Sequence, residues 1–233
     1  MAPAYERTAS EGYRTVDRWD EGVGWVAHPT ETGVRTSHAV RADDGVWLFD
    51  PLDAPGVDDL VTDLGEVAGV AVLSDYHARD AGAFARRYDV PVTVPTWLTR
   101  VADRVDAPTE RVDGSLAGFD LRPVRPLYAW HECVAYRQRD RTLYVPDYLS
   151  SHAKFTVGEE RVGLPSLSRL DPPRATFADC EPARILFGHG TGVFANATAA
   201  LRDSLDGARV RFPRALACNL PSELRVMLPA VWD

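Results

Sequence analysis

Apolar residues recur along this chain in short runs separated by turn-forming residues. Gly45–Phe49 (GVWLF) is aromatic and β-branched, the stretch 36–42 before it alternates weakly, and Asp43-Asp44-Gly45 between them reads as a hairpin turn. Asp50-Pro51 closes the second strand. From 57 to 66 the spacing changes, placing Val57, Leu60, Val61 and Leu64 on one helical face. A short apolar strand at 70–73, a helix at 80–88, a strand at 92–94 ended by Pro95, and a helix at 97–105 follow. Strand and helix alternating in this way imply a layered α/β sheet.

Beyond 111 the texture becomes β-like. Strands are expected at Phe119–Val124, 133–137 and Thr142–Val145, the last two joined by Arg139-Asp140-Arg141. The region 149–182 is rich in Pro, Ser and Arg and has no periodicity, as an insertion or a lid over a site would. Arg184–Phe187 (RILF) is a strand ending in Gly188-His189-Gly190, and 198–205 is helical. The first 21 residues read as a loose arm, and the proline-bearing tail from Arg211 resists assignment. No repeat or low-complexity segment is present, and 233 residues at 45% hydrophobic content suit one domain spanning 1–233.

Charge narrows the class. The net charge is -8, and Lys154 is the only lysine. A carboxylate-rich, lysine-poor surface fits a cytoplasm of high salt, and a GC-rich genome favours the same residues. The acidic balance, with no basic run interleaved with aromatics, argues against a nucleic-acid partner. No apolar run reaches membrane-spanning length and the first twenty residues are polar, so the expectation is a cytoplasmic protein that binds a small-molecule substrate. Cys133, Cys180 and Cys218 lie far apart, and buried free thiols are expected. Oligomeric state is not encoded in any of these features.

The candidate chemistry sits at strand ends. After 70–73 the chain reads Ser74-Asp75-Tyr76-His77-Ala78-Arg79-Asp80. Asp75, His77 and Asp80 thus lie between a strand and a helix, where α/β folds place their sites. Residues two apart on an extended backbone project to the same side, so Asp75 and His77 can converge on one ion. His131 precedes a strand, Asp147 follows one, and His189 follows another. Carboxylates and imidazoles of this kind suit zinc, or a harder iron or manganese ion. Tyr76 and Tyr148 flank ligand positions and could donate to a developing oxyanion, although packing explains them equally well. Trp130, beside His131, is a candidate pocket wall, whereas Glu132 is expected to point away. His28, His38 and His152 read as core, surface or loop histidines. Asp75, His77 and Arg79 would alternatively make a metal-free acid/base pair with an anion clamp. No G-x-S-x-G motif is present.

This order of motifs resembles the metallo-β-lactamase superfamily. Its signature is T-H-x-H-x-D-H followed by glycine, then a distant His, a bridging Asp and a last His in G-H-x. The matching positions are 74–82, His131, Asp147 in LYVPDYLSS and His189 in FGHGTG, and GVWLFDP with Asp50 is similar to the family's strand ending in a buried Asp. The likeness covers about 24–205. Asp75, Arg79 and Asp80 stand where the family has His, Asp and His. The resemblance implies an αββα sandwich with the site at one edge, ligands Asp75, His77, Asp80, His131, Asp147 and His189, and catalytic roles for Asp147 and Asp80. It also implies a metal-activated water that hydrolyses an ester, thioester, lactone or phosphoester. Arg79 cannot ligate, so one zinc is expected rather than two, with Arg79 excluding the second ion or binding an anionic substrate group together with Tyr76 and Tyr148. The competing readings are a two-metal enzyme with unusual ligands and a metal-free relative that acts as a binding or scaffold protein.

Overall fold

The computed structural model describes residues 3–125 and 130–225. The chain divides into two compact units, Met1–Leu121 and Arg122–Asp233.

The first unit is built on a seven-stranded sheet of order β1-β2-β3-β4-β5-β6-β7. These strands are β1 (Arg14–Trp19), β2 (Gly22–Val26), β3 (Ser37–Ala42), β4 (Gly45–Phe49), β5 (Val67–Ala71), β6 (Val92–Pro95) and β7 (Thr109–Val112). β1 to β4 form an antiparallel meander. β4 to β7 are parallel. Parallel neighbours need crossovers, which α1 (Val57–Thr62) supplies between β4 and β5 and α2 (Ala81–Tyr88) between β5 and β6. Val57, Leu60 and Val61 of α1 and Phe84 and Ala85 of α2 are buried. Leu48, Phe49, Val70, Val92 and Val94 of the sheet are fully buried.

The second sheet has order β12-β11-β10-β9-β8. Its members are β8 (Ser115–Leu116), β9 (Phe119–Val124), β10 (Glu132–Arg137), β11 (Thr142–Val145) and β12 (Arg184–Phe187). The unit boundary falls within β9. β11 and β12 are parallel. In the second unit, Val134, Leu143, Val145, Ile185 and Phe187 share an apolar core with Leu201, Leu205 and Ala208 of α3 (Ala197–Cys218).

Several expectations change. The N-terminal stretch is not a loose arm. It contains β1, and before that Thr32 and Gly33 donate their amides to the carbonyls of Pro3 and Ala4, while Glu31 accepts the amide of Glu6. The strand expected at 70–73 runs at Val67–Ala71. The helix expected at 97–105 is only a 3-10 turn at Val101–Arg104. There the amide of Val101 is taken by the Asp75 carboxylate, and Arg111 ties down the carbonyls of Thr96 and Leu98. α3 passes both Gly207 and Pro213, because Leu205, Ala208 and Ala215 continue its buried face. The region 149–182 is irregular but anchored. Leu149, Val162, Leu164 and Phe177 belong to the apolar core, and the buried Arg169 guanidinium donates to both oxygens of the buried Glu160. Cys133 and Cys180 are buried free thiols as expected, whereas Cys218 is exposed. Residues 226–233 of the tail lie outside the described residues. Among the described residues no helix is long and apolar enough to cross a membrane.

A buried pair in the meander explains one glycine. Asp17, Gly24 and His38 stand opposite one another on β1, β2 and β3. His38 Nε2 lies 3.0 Å from Asp17 Oδ2, both side chains being almost wholly buried. The histidine reaches across the middle strand because Gly24 has no side chain. A Cβ there would meet the His38 ring at 2.8 Å and Asp17 Cβ at 3.0 Å. Gly24→Ala is therefore expected to cost about 2–3 kcal/mol in urea unfolding. In a His38→Ala background the same change should cost much less; an equal cost would show that the window is not what the glycine provides.

The β10–β11 turn holds a second charged pair. Arg137 is fully buried and donates to both Asp140 oxygens at 2.8 Å, while Arg184 approaches the same carboxylate at 2.7 Å. Burial opposes the charge of Asp140, but the hydrogen bonds from Arg137 and Thr142 and the charges of Arg137 and Arg184 outweigh it and hold the carboxyl down at about 2. Because the folded pKa lies below the unfolded one, this stabilisation is present above pH 3.8 and is lost as the pH falls towards 2. Asp140→Asn should cost about 3 kcal/mol at neutral pH, by leaving the Arg137 charge uncompensated. The difference between variant and parent should shrink across that acid window, as read by denaturant midpoints at stepped pH.

Candidate functional site

The loop after β5 begins where Asp50 ends β4. Asp50 is fully buried and adopts a left-handed backbone (φ 47°). Its Oδ1 accepts the amide of Leu73 at 2.9 Å, and its Oδ2 lies 3.1 Å from His77 Nδ1. A carboxylate accepts only, so His77 Nδ1 carries a proton and donates, and Nε2 is the lone-pair nitrogen of the corresponding neutral tautomer. Facing that nitrogen at 3.5 Å is Arg79 Nη2. The Arg79 guanidinium is fixed by Nη1, which donates to the carbonyls of Thr36 at 2.7 Å and Asp50 at 2.8 Å. Its backbone is also left-handed (φ 41°), a strained choice for arginine, and the side chain reaches the carbonyls just before β3 and just after β4.

The other residues of this loop point elsewhere. The stretch 74–80 is a pair of turns, with the His77 amide donating to the Ser74 carbonyl, so the alternation of an extended strand does not apply. Asp75 Oδ1 accepts the Val101 amide at 3.2 Å. Asp80 Oδ2 accepts the Asp53 amide at 2.8 Å. The ring of Tyr76 lies under the Arg100 guanidinium, 4.6 Å from its centroid.

The second unit brings together Asp147 and His189, each at the end of a strand. His189 Nε2 is 3.1 Å from Asp147 Oδ1, and Trp130 Nε1 donates to Asp147 Oδ2 at 3.1 Å. Glu132, expected to point away, does the opposite. It is fully buried, and its carboxylate accepts the amides of Asp147 and Tyr148 at 2.9 to 3.0 Å, fixing the turn that carries Asp147. A glutamate opening a strand gives no sequence signal for that role. Tyr148 is buried, which raises its hydroxyl pKa, and it donates to the Asp171 carbonyl at 3.3 Å. His131 is half-buried at the start of β10.

His152 is not a solvated loop histidine. Burial first, and then the charges of Lys154 and His189, hold its pKa down to about 4. Its Nδ1 accepts the Lys154 amide at 3.1 Å, so the ring is neutral at ordinary pH.

No family model and no curated protein sequence matches the chain. Solved structures do. The metallo-β-lactamase DIM-1 superposes with a TM-score of 0.60 at 11% identity, covering 87% of this chain and 99% of that one. The chain has the metallo-β-lactamase fold. An enzyme of this type from Hirschia baltica matches with a TM-score of 0.58 at 12% identity, over 86% and 97% of the two chains. FIM-1 from Pseudomonas aeruginosa, solved in its mono-zinc form, matches with a TM-score of 0.57 at 12% identity, over 89% and 98%. The rubredoxin:oxygen oxidoreductase of Desulfovibrio gigas gives a TM-score of 0.62 at 12% identity, over 86% of this chain and 62% of its own. These likenesses bear out the αββα class expected from the sequence.

The geometry around Asp50 carries a prediction. Asp50→Asn can no longer accept from His77 Nδ1 with a full charge, so the nitrogen-15 shifts of His77 should leave the pattern of a ring protonated at Nδ1. Stability should fall by about 2 kcal/mol. An unchanged ring tautomer would show that Asp50 does not set it.

Proposed function

We propose that the chain is a metal-dependent hydrolase of the metallo-β-lactamase fold that works with one divalent ion. The observation that carries this reading is the buried Asp50–His77 pair. A carboxylate that fixes one ring nitrogen and leaves the other as a lone-pair donor is the arrangement by which proteins prepare histidine ligands. The donor chemistry suits a single zinc: neutral imidazole at His77, and imidazole and carboxylate at His189 and Asp147. The ligand set is the one that the resemblance implies, with His77, His131, Asp147 and His189 retaining the family's residue types. Asp75 and Asp80, which the resemblance also places in the set, each give one oxygen to a backbone amide. A solved relative of this fold in a mono-zinc form supports the count of one.

When bound, such an ion supplies an activated water for attack on a carbonyl or phosphoryl centre. The rest falls to the protein's own groups. Asp50 fixes the tautomer and orientation of the His77 ring, and Glu132 and Trp130 hold Asp147 in one orientation as a proton acceptor. Arg79 brings a fixed positive charge where the family has an acidic ligand. That charge disfavours a second cation and suits an anionic group on the substrate. The preferred substrate is therefore an anionic ester, thioester, lactone or phosphoester, and we place the chain among single-domain cytoplasmic enzymes.

A second reading is favoured by the same arginine. A guanidinium 3.5 Å from His77 Nε2 can itself satisfy that nitrogen, and the protein would then be a metal-free binding relative.

Zinc titration calorimetry separates the two readings. Under the first, wild type binds zinc and hydrolyses p-nitrophenyl esters or phosphoesters, His77→Ala loses both, and Arg79→Asp takes up an additional ion. Zinc binding that His77→Ala leaves unchanged contradicts the proposal, and Arg79→Asp with no added ion contradicts the role given to Arg79.

A further inference from the structure

The apolar side chains that the second unit leaves open concentrate at α3. Among the described residues, the large apolar side chains exposed to solvent are Leu167, Leu170, Phe194, Val210, Leu216 and Leu224. All but Phe194 lie on α3, on the residues that follow it, or on the 3-10 turn Leu167–Leu170. That turn is fastened beside α3. The Ser166 hydroxyl donates to the Ala215 carbonyl at 3.1 Å, and Arg209 Nε donates to the Leu170 carbonyl at 3.0 Å. Val210 is the most open of these residues, at 84% exposure.

The inner face of α3 is set by Leu201, Ser204, Leu205, Ala208 and Ala215, which are buried. At about 3.6 residues per turn the opposite stripe runs through Asp203, Asp206, Val210, Arg214 and Ala217, and all five are exposed. Charge is ordered along it, with the carboxylates before Val210 and the guanidinium after. Asp203 is taken by Arg211, which donates to it at 2.7 Å. Asp206 has Arg174 only at 3.6 Å, and its side chain is 73% exposed. Arg214 rests beside Gly158 and forms no hydrogen bond or ion pair among the described residues.

This order makes the stripe complementary to itself. A two-fold axis through Val210, perpendicular to the helix, lays a second α3 antiparallel on the first. Val210 then meets the partner's Val210. Asp206 and Arg214 each stand four residues from the axis, about 6 Å along the helix, and on opposite flanks of the stripe. The rotation therefore sets Asp206 against the partner's Arg214 at both ends of the contact, while the small side chain of Ala217 faces the partner's Asp203. A parallel pairing would instead set like charges together. Asp203 and Asp206 also repel an anionic membrane or nucleic acid from the same stripe.

We propose that α3 is a homodimer surface, on which a second copy of this chain docks through an antiparallel α3–α3 contact centred on Val210. Such a contact is isologous, each copy offering the same patch. It is one helix face with the 167–170 turn beside it, so the dimer is weak and forms with rising concentration. The proposal stands whether or not the chain is a hydrolase.

Sedimentation velocity on the full chain tests it. Reductant is present so that the exposed Cys218 cannot link two molecules. The salt is the lowest that preserves the wild-type circular dichroism, because salt screens the ionic pairs. The wild-type chain should pass from monomer towards dimer as its concentration rises to about 1 mM. Val210→Asp sets like charges across the axis and should leave monomer alone, with the melting of the monomer unchanged because the position is exposed. Asp206→Arg and Arg214→Asp should each weaken the dimer about tenfold or more. The double reversal should recover the wild-type dimer, and the two single variants, when mixed, should pair with each other more tightly than with themselves. A dimer that Val210→Asp leaves intact, or a double reversal no stronger than the single changes, would overturn the proposal. A chain that stays monomeric at every concentration would overturn it too, and would leave the stripe to a different protein partner.

Discussion

A single buried carboxylate organises the first unit. Asp50 ends β4 in a left-handed conformation, which turns its side chain back beneath the ends of the parallel strands. From there it takes the Leu73 amide and His77 Nδ1, while its own carbonyl accepts from Ser37 and Arg79. The loops after β4 and β5 and the start of β3 are thereby fixed by one residue. A charge with no exposure is tolerable only when its lone pairs are taken up by donors, and this one is. The tautomer of His77, the placing of Arg79 and any ligand role for the imidazole all follow from that arrangement.

The same solution recurs at other buried charges. Asp17 with His38, Arg137 with Asp140, and Glu160 with Arg169 each place a charged or titratable group deep in a unit beside its complement. Such pairs contribute little net stability against apolar replacements, but losing one member is costly. They act as register pins: His38 spans β2 only where Gly24 lies, and Glu160 with Arg169 ties an otherwise aperiodic region to itself. In the second unit Glu132 does for Asp147 what Asp50 does for His77, holding a strand-end residue through buried carboxylate contacts.

Periodicity revealed the elements that bury one type of side chain. GVWLF, RILF and the 57–66 stretch read correctly in kind, because apolar packing alone decides them. β1 and β2 were hidden because their interior includes Asp17, Gly22 and Gly24, polar or small residues whose place is explained only by His38 and Trp19 across the sheet. The helix expected at 97–105 failed because tertiary bonds from Asp75 and Arg111 consume the backbone groups that a helix would need. α3 ran longer than its pattern suggested because packing overrides a single proline. At the candidate site, the residues were legible through the family's motif order, and their partners were not. Nothing local shows that Asp75 would serve Val101, that Asp80 would serve Asp53, or that Glu132 would turn inward.

The central claim is that the altered motif still holds one ion. Elemental analysis of native protein, purified in high salt without a nickel column or chelator, tests it most directly. The account predicts about one zinc, iron or manganese per chain. A folded protein that carries none, and takes up none when zinc is supplied, would contradict it and leave Arg79 as the permanent partner of His77.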